Sequence, residues 1–141
     1  MSTLPLVFER DYEFPRVIVW DALVDSELVS GWLAEAEIVP EVGGQYNLTW
    51  PRRNAASTFG RITVLQSLER LWVETTDAGR LQFELEELPG GSRGTSTRLR
   101  LTVDVEIEPA FAPRVQADWE LALEQLEELL RGHPVDWNLL I

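Results

Sequence analysis

The spacing of hydrophobic and polar positions is mostly helical between residues 15 and 33, alternates over the long middle of the chain from about residue 35, and is helical again near the C-terminus. Before the first helical segment, Leu6–Glu13 alternates loosely and predicts a first strand. Pro15 fits the first position of a helix ending near Leu23. The apolar residues at helical spacing in this helix are Val17, Trp20 and Val24.

A second short helix is predicted directly after the first. Asp25 is a suitable N-cap, because its carboxylate can accept hydrogen bonds from the first unpaired N–H groups of a helix. Leu28 and Trp32 lie four residues apart and define an apolar face. Gly31 weakens the last turn, so we expect the end of this helix to be mobile.

From Glu35 onward the period is two, and glycine-containing turns separate the alternating segments. This pattern predicts an antiparallel meander of five or six strands with one apolar face. The clearest strand is Thr97–Ile107. Its apolar positions are Leu99, Leu101, Val103, Val105 and Ile107.

The last predicted element is a helix from about Pro113 to Arg131, which Gly132 and Pro134 end. Its apolar stripe consists of Phe111, Val115, Trp119, Ala122, Leu123, Leu126 and Leu130. The tail, Val135–Ile141, is apolar, and we expect it to dock on its own domain or on a partner.

This order of elements predicts a single α+β domain spanning residues 1–141. The long C-terminal helix is the obvious cover for the apolar face of the sheet, with Leu101, Val103, Trp119, Leu123 and Leu126 between them. A strongly twisted sheet that wraps around one helix leaves space between the two. The pattern therefore favours a hollow at that interface.

Charge and composition narrow the possible partners. The net charge of −12 and the pI near 4.4 would repel a phosphate backbone, so we expect no nucleic acid partner. Neither an apolar run long enough to span a bilayer nor a secretory signal is evident. We therefore expect a cytoplasmic protein that does not insert into membranes.

The residue types that usually carry catalysis are scarce. The chain has no lysine and no cysteine, and its single histidine, His133, follows the last helix. We therefore expect no catalytic residues, no metal site and no cofactor. Arg61 and Glu74 would be polar ligand anchors if they pointed inward, whereas an outward direction would make them ordinary solvated residues.

The segment FERDYEFPRVIVWDALVDSELVSGWL resembles the opening of the family named after the activator of heat-shock-protein-90 ATPase, within the START-like or SRPBCC superfamily. Gly43 and Gly44, the segment GRITVLQSLERLWV, and Asp118, Trp119 and Leu126 match in the same order. The resemblance covers nearly the whole chain. Thr75 departs from it, standing where the family often has tryptophan, and the tail beyond Pro134 has no counterpart.

The resemblance implies a helix-grip fold with a cavity between the curved sheet and the C-terminal helix. In relatives this cavity holds apolar or amphipathic small molecules. We expect Trp20 to be core and Trp32 to lie at the mouth of the cavity. The expected lining is Trp32, Tyr46, Leu48, Trp50, Phe83, Leu101, Trp119 and Leu123.

Three functions follow as hypotheses. The first is non-catalytic binding of a small apolar or amphipathic molecule, as a carrier or sensor. The second is a co-chaperone-like interaction with the heat-shock-protein-90 ATPase, although the full activator has an additional N-terminal domain for which this chain has no length. The third is an enzyme of the cyclase or hydrolase type acting on an aromatic or lipid-like substrate, which would need carboxylates or arginines inside the cavity. A second copy of the chain, bound through the apolar tail, is a further partner that the sequence leaves open.

Overall fold

The computed structural model describes residues 2–51, 56–91 and 93–137, with side chains from residue 5 onward. Within these residues the helices are α1 (Arg16–Val24), α2 (Ser26–Val29) and α3 (Ala112–Leu130), and a 3-10 turn at Pro109–Phe111 leads into α3. The strands are β1 (Ser2–Tyr12), β2 (Glu35–Ile38), β3 (Tyr46–Trp50), β4 (Ala56–Thr58), β5 (Gly60–Gln66), β6 (Arg70–Thr75), β7 (Arg80–Pro89) and β8 (Thr95–Ile107).

The strands form a curved antiparallel surface in two parts. One part has five strands in the order β1-β8-β7-β6-β5, and the other has the order β2-β3-β4. The two parts are joined by a bridge between Gln45 and Arg61 and by hydrogen bonds on both sides of Ile62, to Gly43 and Gly44. The predicted α+β fold is confirmed. The described residues contain seven strands after the helices rather than five or six, because β4 is a separate strand of three residues.

Strand β8 lies between β1 and β7, and its buried and exposed residues alternate as predicted. It pairs with β1 and β7 along nearly its full length, so that Leu101 lies opposite both Phe8 and Phe83. Leu99, Leu101, Val103 and Val105 are all buried, as their period of two predicts.

Helix α3 covers the apolar face of the five-stranded part, within one residue of its predicted bounds at each end. Trp119, Leu123 and Leu126 are buried, as expected. The Tyr12 hydroxyl donates a hydrogen bond to the Leu123 carbonyl oxygen at 3.1 Å. The end of β1 is thereby tied to the middle of α3.

Of the two sequence predictions for α2, the N-cap is confirmed and the apolar face is wrong. The Asp25 carboxylate accepts hydrogen bonds from the N–H groups of Glu27 and Leu28 at 2.9 and 3.1 Å, which confirms the predicted N-cap. Leu28 itself is exposed and shares no buried face with Trp32, because α2 ends at Val29.

Two further apolar positions are not core, contrary to the sequence prediction. Val17 is exposed because α1 buries a different face, formed by Val19, Trp20, Ala22 and Leu23. Phe111 is exposed because it belongs to the 3-10 turn, where the helical stripe has not yet begun.

Candidate functional site

A cavity of about 250 Å³, partly open to solvent, lies between the first half of α3 and the ends of several strands. Its walls come from α3, from the last residues of β8 and β3, from the turn after β6, and from the tail after α3. The apolar and aromatic lining residues are Leu33, Trp50, Pro51, Ala78, Val105, Ile107, Val115, Trp119, Leu121, Ala122 and Trp137. Ligand pockets are usually ~300–1,000 Å³ and mainly apolar, so this cavity lies just below that range and has room only for a small molecule.

Four polar residues also line the cavity: Asp77, Arg114, Asp118 and Gln125. Three of them lie on α3 at spacings of four and seven residues, beside the apolar stripe that contains Trp119. The cavity therefore combines indole and aliphatic walls with carboxylate, guanidinium and amide groups. Such a lining matches a molecule that has an apolar body and at least one polar group.

A chain of hydrogen bonds positions Asp77. The Trp50 indole N–H donates to the Thr58 hydroxyl at 2.7 Å, and that hydroxyl donates to Asp77 Oδ1 at 2.6 Å. Thr58 is buried, so its hydroxyl depends on these partners rather than on water. One edge of the Trp50 ring and one carboxylate oxygen of Asp77 are therefore fixed together at the cavity.

Thr75, the residue that departs from the family pattern, holds the turn that carries Asp77. Its hydroxyl donates to the Gly79 carbonyl oxygen at 2.7 Å and accepts from the Ala78 N–H at 2.9 Å. Gly79 has a φ of +81°, and a side chain there would collide with the Asp104 carbonyl. The turn thus uses the Thr75 hydroxyl for two hydrogen bonds and requires glycine at position 79.

The tail after α3, as far as Trp137, docks on its own chain as predicted, and residues 138–141 lie outside the described residues. The Val135 N–H donates to the Gly31 carbonyl oxygen at 2.8 Å, and the Trp137 indole N–H donates to the Ser30 carbonyl oxygen at 2.7 Å. Trp137 thereby becomes a wall of the cavity.

Of the eight residues expected to line the cavity, Trp50 and Trp119 do so. The other six are buried in the packed core instead: Trp32, Tyr46, Leu48, Phe83, Leu101 and Leu123. The position expected for Trp32 is corrected most clearly. Its side chain is 0% exposed, and its indole N–H donates to the Ala22 carbonyl oxygen at 2.7 Å, so it is held inside rather than at the mouth.

The two candidate polar anchors lie away from the cavity. Arg61 and Glu74 face each other across β5 and β6, and both are exposed. Glu74 pairs with Arg80, at 3.1 Å between its carboxylate and the guanidinium. Their outward direction favours the interpretation as solvated surface residues.

Sequence reasoning missed Asp77, Arg114, Asp118, Gln125 and Trp137. The three α3 residues carried a usable signal, since polar residues at spacings of four and seven beside an apolar stripe mark the edge of a buried face. The apolar tail indicated that Trp137 would be docked, but not where, and Asp77 carried no signal, because both positions depend on contacts with residues distant in sequence.

The outer face of the sheet has a second depression, lined mainly by charged residues. Arg98 pairs with Asp11 at 2.9 Å, and Arg70 pairs with Glu84 at 3.5 Å. The hydrogen bond from Arg98 holds the pKa of the Asp11 carboxyl below its usual value. These exposed side chains largely pair with one another, as on an ordinary solvated surface.

Across the described ranges, no group of three histidine, aspartate or glutamate side chains could hold a metal ion. In the same part of the chain, no helix has the length and apolar character needed to cross a bilayer.

Comparisons with known proteins agree with this architecture. The sequence profile of the family described as activator of Hsp90 ATPase homolog 1-like protein matches residues 13–131. No curated protein matches the chain significantly.

Several solved structures share the fold. SSP2350 from Staphylococcus saprophyticus superposes with a TM-score of 0.74 at 19% identity, covering 94% of this chain and 96% of the other. MLL2253 from Mesorhizobium loti gives a TM-score of 0.70 at 20% identity, covering 94% and 100%. DynU16, described as a putative protein in the dynemicin biosynthetic locus, gives a TM-score of 0.71 at 15% identity, covering 92% of this chain and 48% of its own.

Proposed function

The chain belongs to the activator of Hsp90 ATPase homolog 1-like family, and from that premise we propose that it binds a small amphipathic molecule, without catalysis, in the cavity beside α3. The observation that carries this proposal is the lining of the cavity. Three indole rings and several aliphatic side chains surround a space of about 250 Å³, and polar groups stand among them.

The polar groups favour an amphipathic ligand over a purely apolar one. Asp77 is fixed through Thr58, and Arg114 and Asp118 stand one helical turn apart on α3. A ligand with no polar group would cover these side chains without replacing their contacts with water, which costs binding free energy. A ligand with a hydrogen-bonding or charged group can keep those contacts.

Among the described residues that line the cavity none is a lysine, cysteine or histidine, so it offers no amine, thiol or imidazole for catalysis. We assign its charged groups, on Asp77, Arg114 and Asp118, to holding a polar group of the ligand. Lysine and cysteine are missing from the sequence. His133 is exposed, lies outside the cavity, and faces Glu128 with 3.2 Å between Nδ1 and Oε2. Its replacement by alanine should leave ligand binding intact.

The first experiment is native mass spectrometry of freshly purified protein, because a retained small molecule would reveal both occupancy and chemical class. The second is titration of the neutral fluorescent probe N-phenyl-1-naphthylamine. Val115→Phe should fill part of the cavity and weaken probe binding tenfold or more, equal to about 1.4 kcal/mol.

The matched control is Val7→Phe. It makes the same change at an exposed position of β1, away from the cavity. Equal affinity in both variants would show that the probe binds elsewhere and would remove the support for this cavity as the binding site.

A further inference from the structure

The segment from Pro134 to Trp137 closes one side of the cavity by binding to the end of α2. Two hydrogen bonds hold it, from the Val135 N–H to Gly31 and from the Trp137 indole to Ser30. Both acceptors are carbonyl groups in the turn that follows α2. Carbonyl groups shielded from water are normally hydrogen-bonded, and the tail supplies their donors.

The backbone of Gly31 lies close to both α3 and the tail. A Cβ atom at this buried position would lie 2.8 Å from Leu129 Cδ1 and 3.1 Å from Pro134 Cβ. Real Cβ contacts are longer than the first of these distances, so a side chain there would displace the end of the Leu129 side chain and press against Pro134. The lack of a side chain lets α2, α3 and the tail meet.

We propose that Trp137 determines ligand size, as a wall of the cavity that stands beyond the part of the chain shared with the family. The family profile ends at residue 131, whereas Trp137 lines the same cavity as Trp50 and Trp119. A fixed indole on that side limits the length of a ligand and adds an aromatic surface for a small one. This inference rests on the proposed function, since it concerns the ligand of that cavity.

The same contacts oppose the formation of a dimer through the tail. Val135 and Trp137 donate to carbonyl groups of their own chain, and Trp137 is half-buried there. A dimer formed through this part of the tail would first have to break both hydrogen bonds. The described part of the tail, up to Trp137, therefore contacts its own chain.

The test compares two shortened chains with two neutral probes, 2-naphthol and the larger N-phenyl-1-naphthylamine. A chain ending at His133 lacks the wall, whereas a chain ending at Trp137 keeps it and is the matched control. Removing the wall should change the ratio of the two dissociation constants tenfold or more in favour of the larger probe. The control should stay within twofold of the full chain.

Trp137→Ala repeats the test with the rest of the tail in place, in case the shorter chain folds poorly. It should shift the ratio in the same direction. An unchanged ratio in both wall-less variants, with binding retained, would overturn the role of Trp137 while leaving the proposed function intact.

A ligand-free measurement tests the wall even if neither probe binds. The chain ending at His133 and the full-length Trp137→Phe variant contain the same five tryptophans, but only the second keeps an aromatic ring at position 137. Acrylamide should quench the fluorescence of the shortened chain more strongly, because Trp50 and Trp119 become exposed. Equal quenching would contradict the role of Trp137 as a wall of the cavity. Failure of every chain to bind either probe would count against the proposed function alone.

Discussion

The two ends of α3 face the same sheet but have opposite surroundings. At the packed end, Leu123 and Leu126 are no more than 1% exposed, and Tyr12 donates to the carbonyl oxygen of Leu123. At the open end, from Arg114 to Ala122, Val115 is only half-buried and Trp119 borders the cavity.

The difference comes from what lies across from the helix rather than from the helix itself. The packed end meets the apolar face of the sheet and the Tyr12 hydroxyl. The open end faces the turn at Asp77 and Ala78, the end of β3, and the tail, which do not fill the space between them. An apolar stripe predicts that a face is covered, but it does not predict how tightly.

The largest expected difference between the two ends is in stability. Leu126→Ala should lower the free energy of unfolding by about 2–5 kcal/mol, because it leaves a void in a closed core. Val115→Ala should cost less than about 1 kcal/mol, because this side chain is half-buried and already borders a cavity. Urea unfolding of both variants measures the difference, and similar losses would mean that the open end is packed as well.

The next prediction compares the stability lost when a core tryptophan is replaced with the stability lost when a cavity tryptophan is replaced. Trp32→Phe removes the donor to the Ala22 carbonyl in a fully buried place and should cost about 1–3 kcal/mol. Trp137→Phe removes a similar bond at a half-buried place and should cost less. Thermal or urea unfolding measures the stability of both variants. A greater loss of stability in Trp137→Phe than in Trp32→Phe would reverse the assignment of the two residues.

These two tryptophans show where sequence reasoning worked and where it could not. Period and capping fixed the bounds of α3, the parity of β8 and the N-cap at Asp25, because each depends on neighbouring residues. Trp32 was misplaced because its glycine-containing helix end has a weak local signal, whereas tertiary packing and the bond to Ala22 hold it inside. Trp137 was missed because its role arises from contact with Ser30, more than a hundred residues away in sequence.

A smaller effect on stability, which depends on pH, is expected for Tyr12 at the packed end. Burial raises the pKa of its hydroxyl well above the usual value near 10. Above about pH 10 the unfolded chain releases this proton while the folded chain keeps it, so the free energy of unfolding falls as pH rises. At neutral pH, Tyr12→Phe should cost about 0.5–1.5 kcal/mol for the lost hydrogen bond to Leu123.

The measurement for Tyr12 is urea unfolding of both proteins from pH 7 to pH 11. The stability gap between the wild type and Tyr12→Phe should narrow above pH 10, because phenylalanine has no proton to release. A gap that stays constant or widens with pH would contradict the burial of a neutral hydroxyl at this position.

The smallest expected effect on binding is at the outward-facing pair on β5 and β6. Arg61→Ala and Glu74→Ala should each change the affinity for N-phenyl-1-naphthylamine by less than twofold, or about 0.4 kcal/mol, because both side chains are exposed and neither lines the cavity. Asp77→Ala is the contrasting variant, since it removes a lining carboxylate and leaves the buried Thr58 hydroxyl without its acceptor. Its affinity should therefore change more than that of either outer variant. A larger loss at Arg61 or Glu74 than at Asp77 would place the binding site on the outer face of the sheet and not beside the open end of α3.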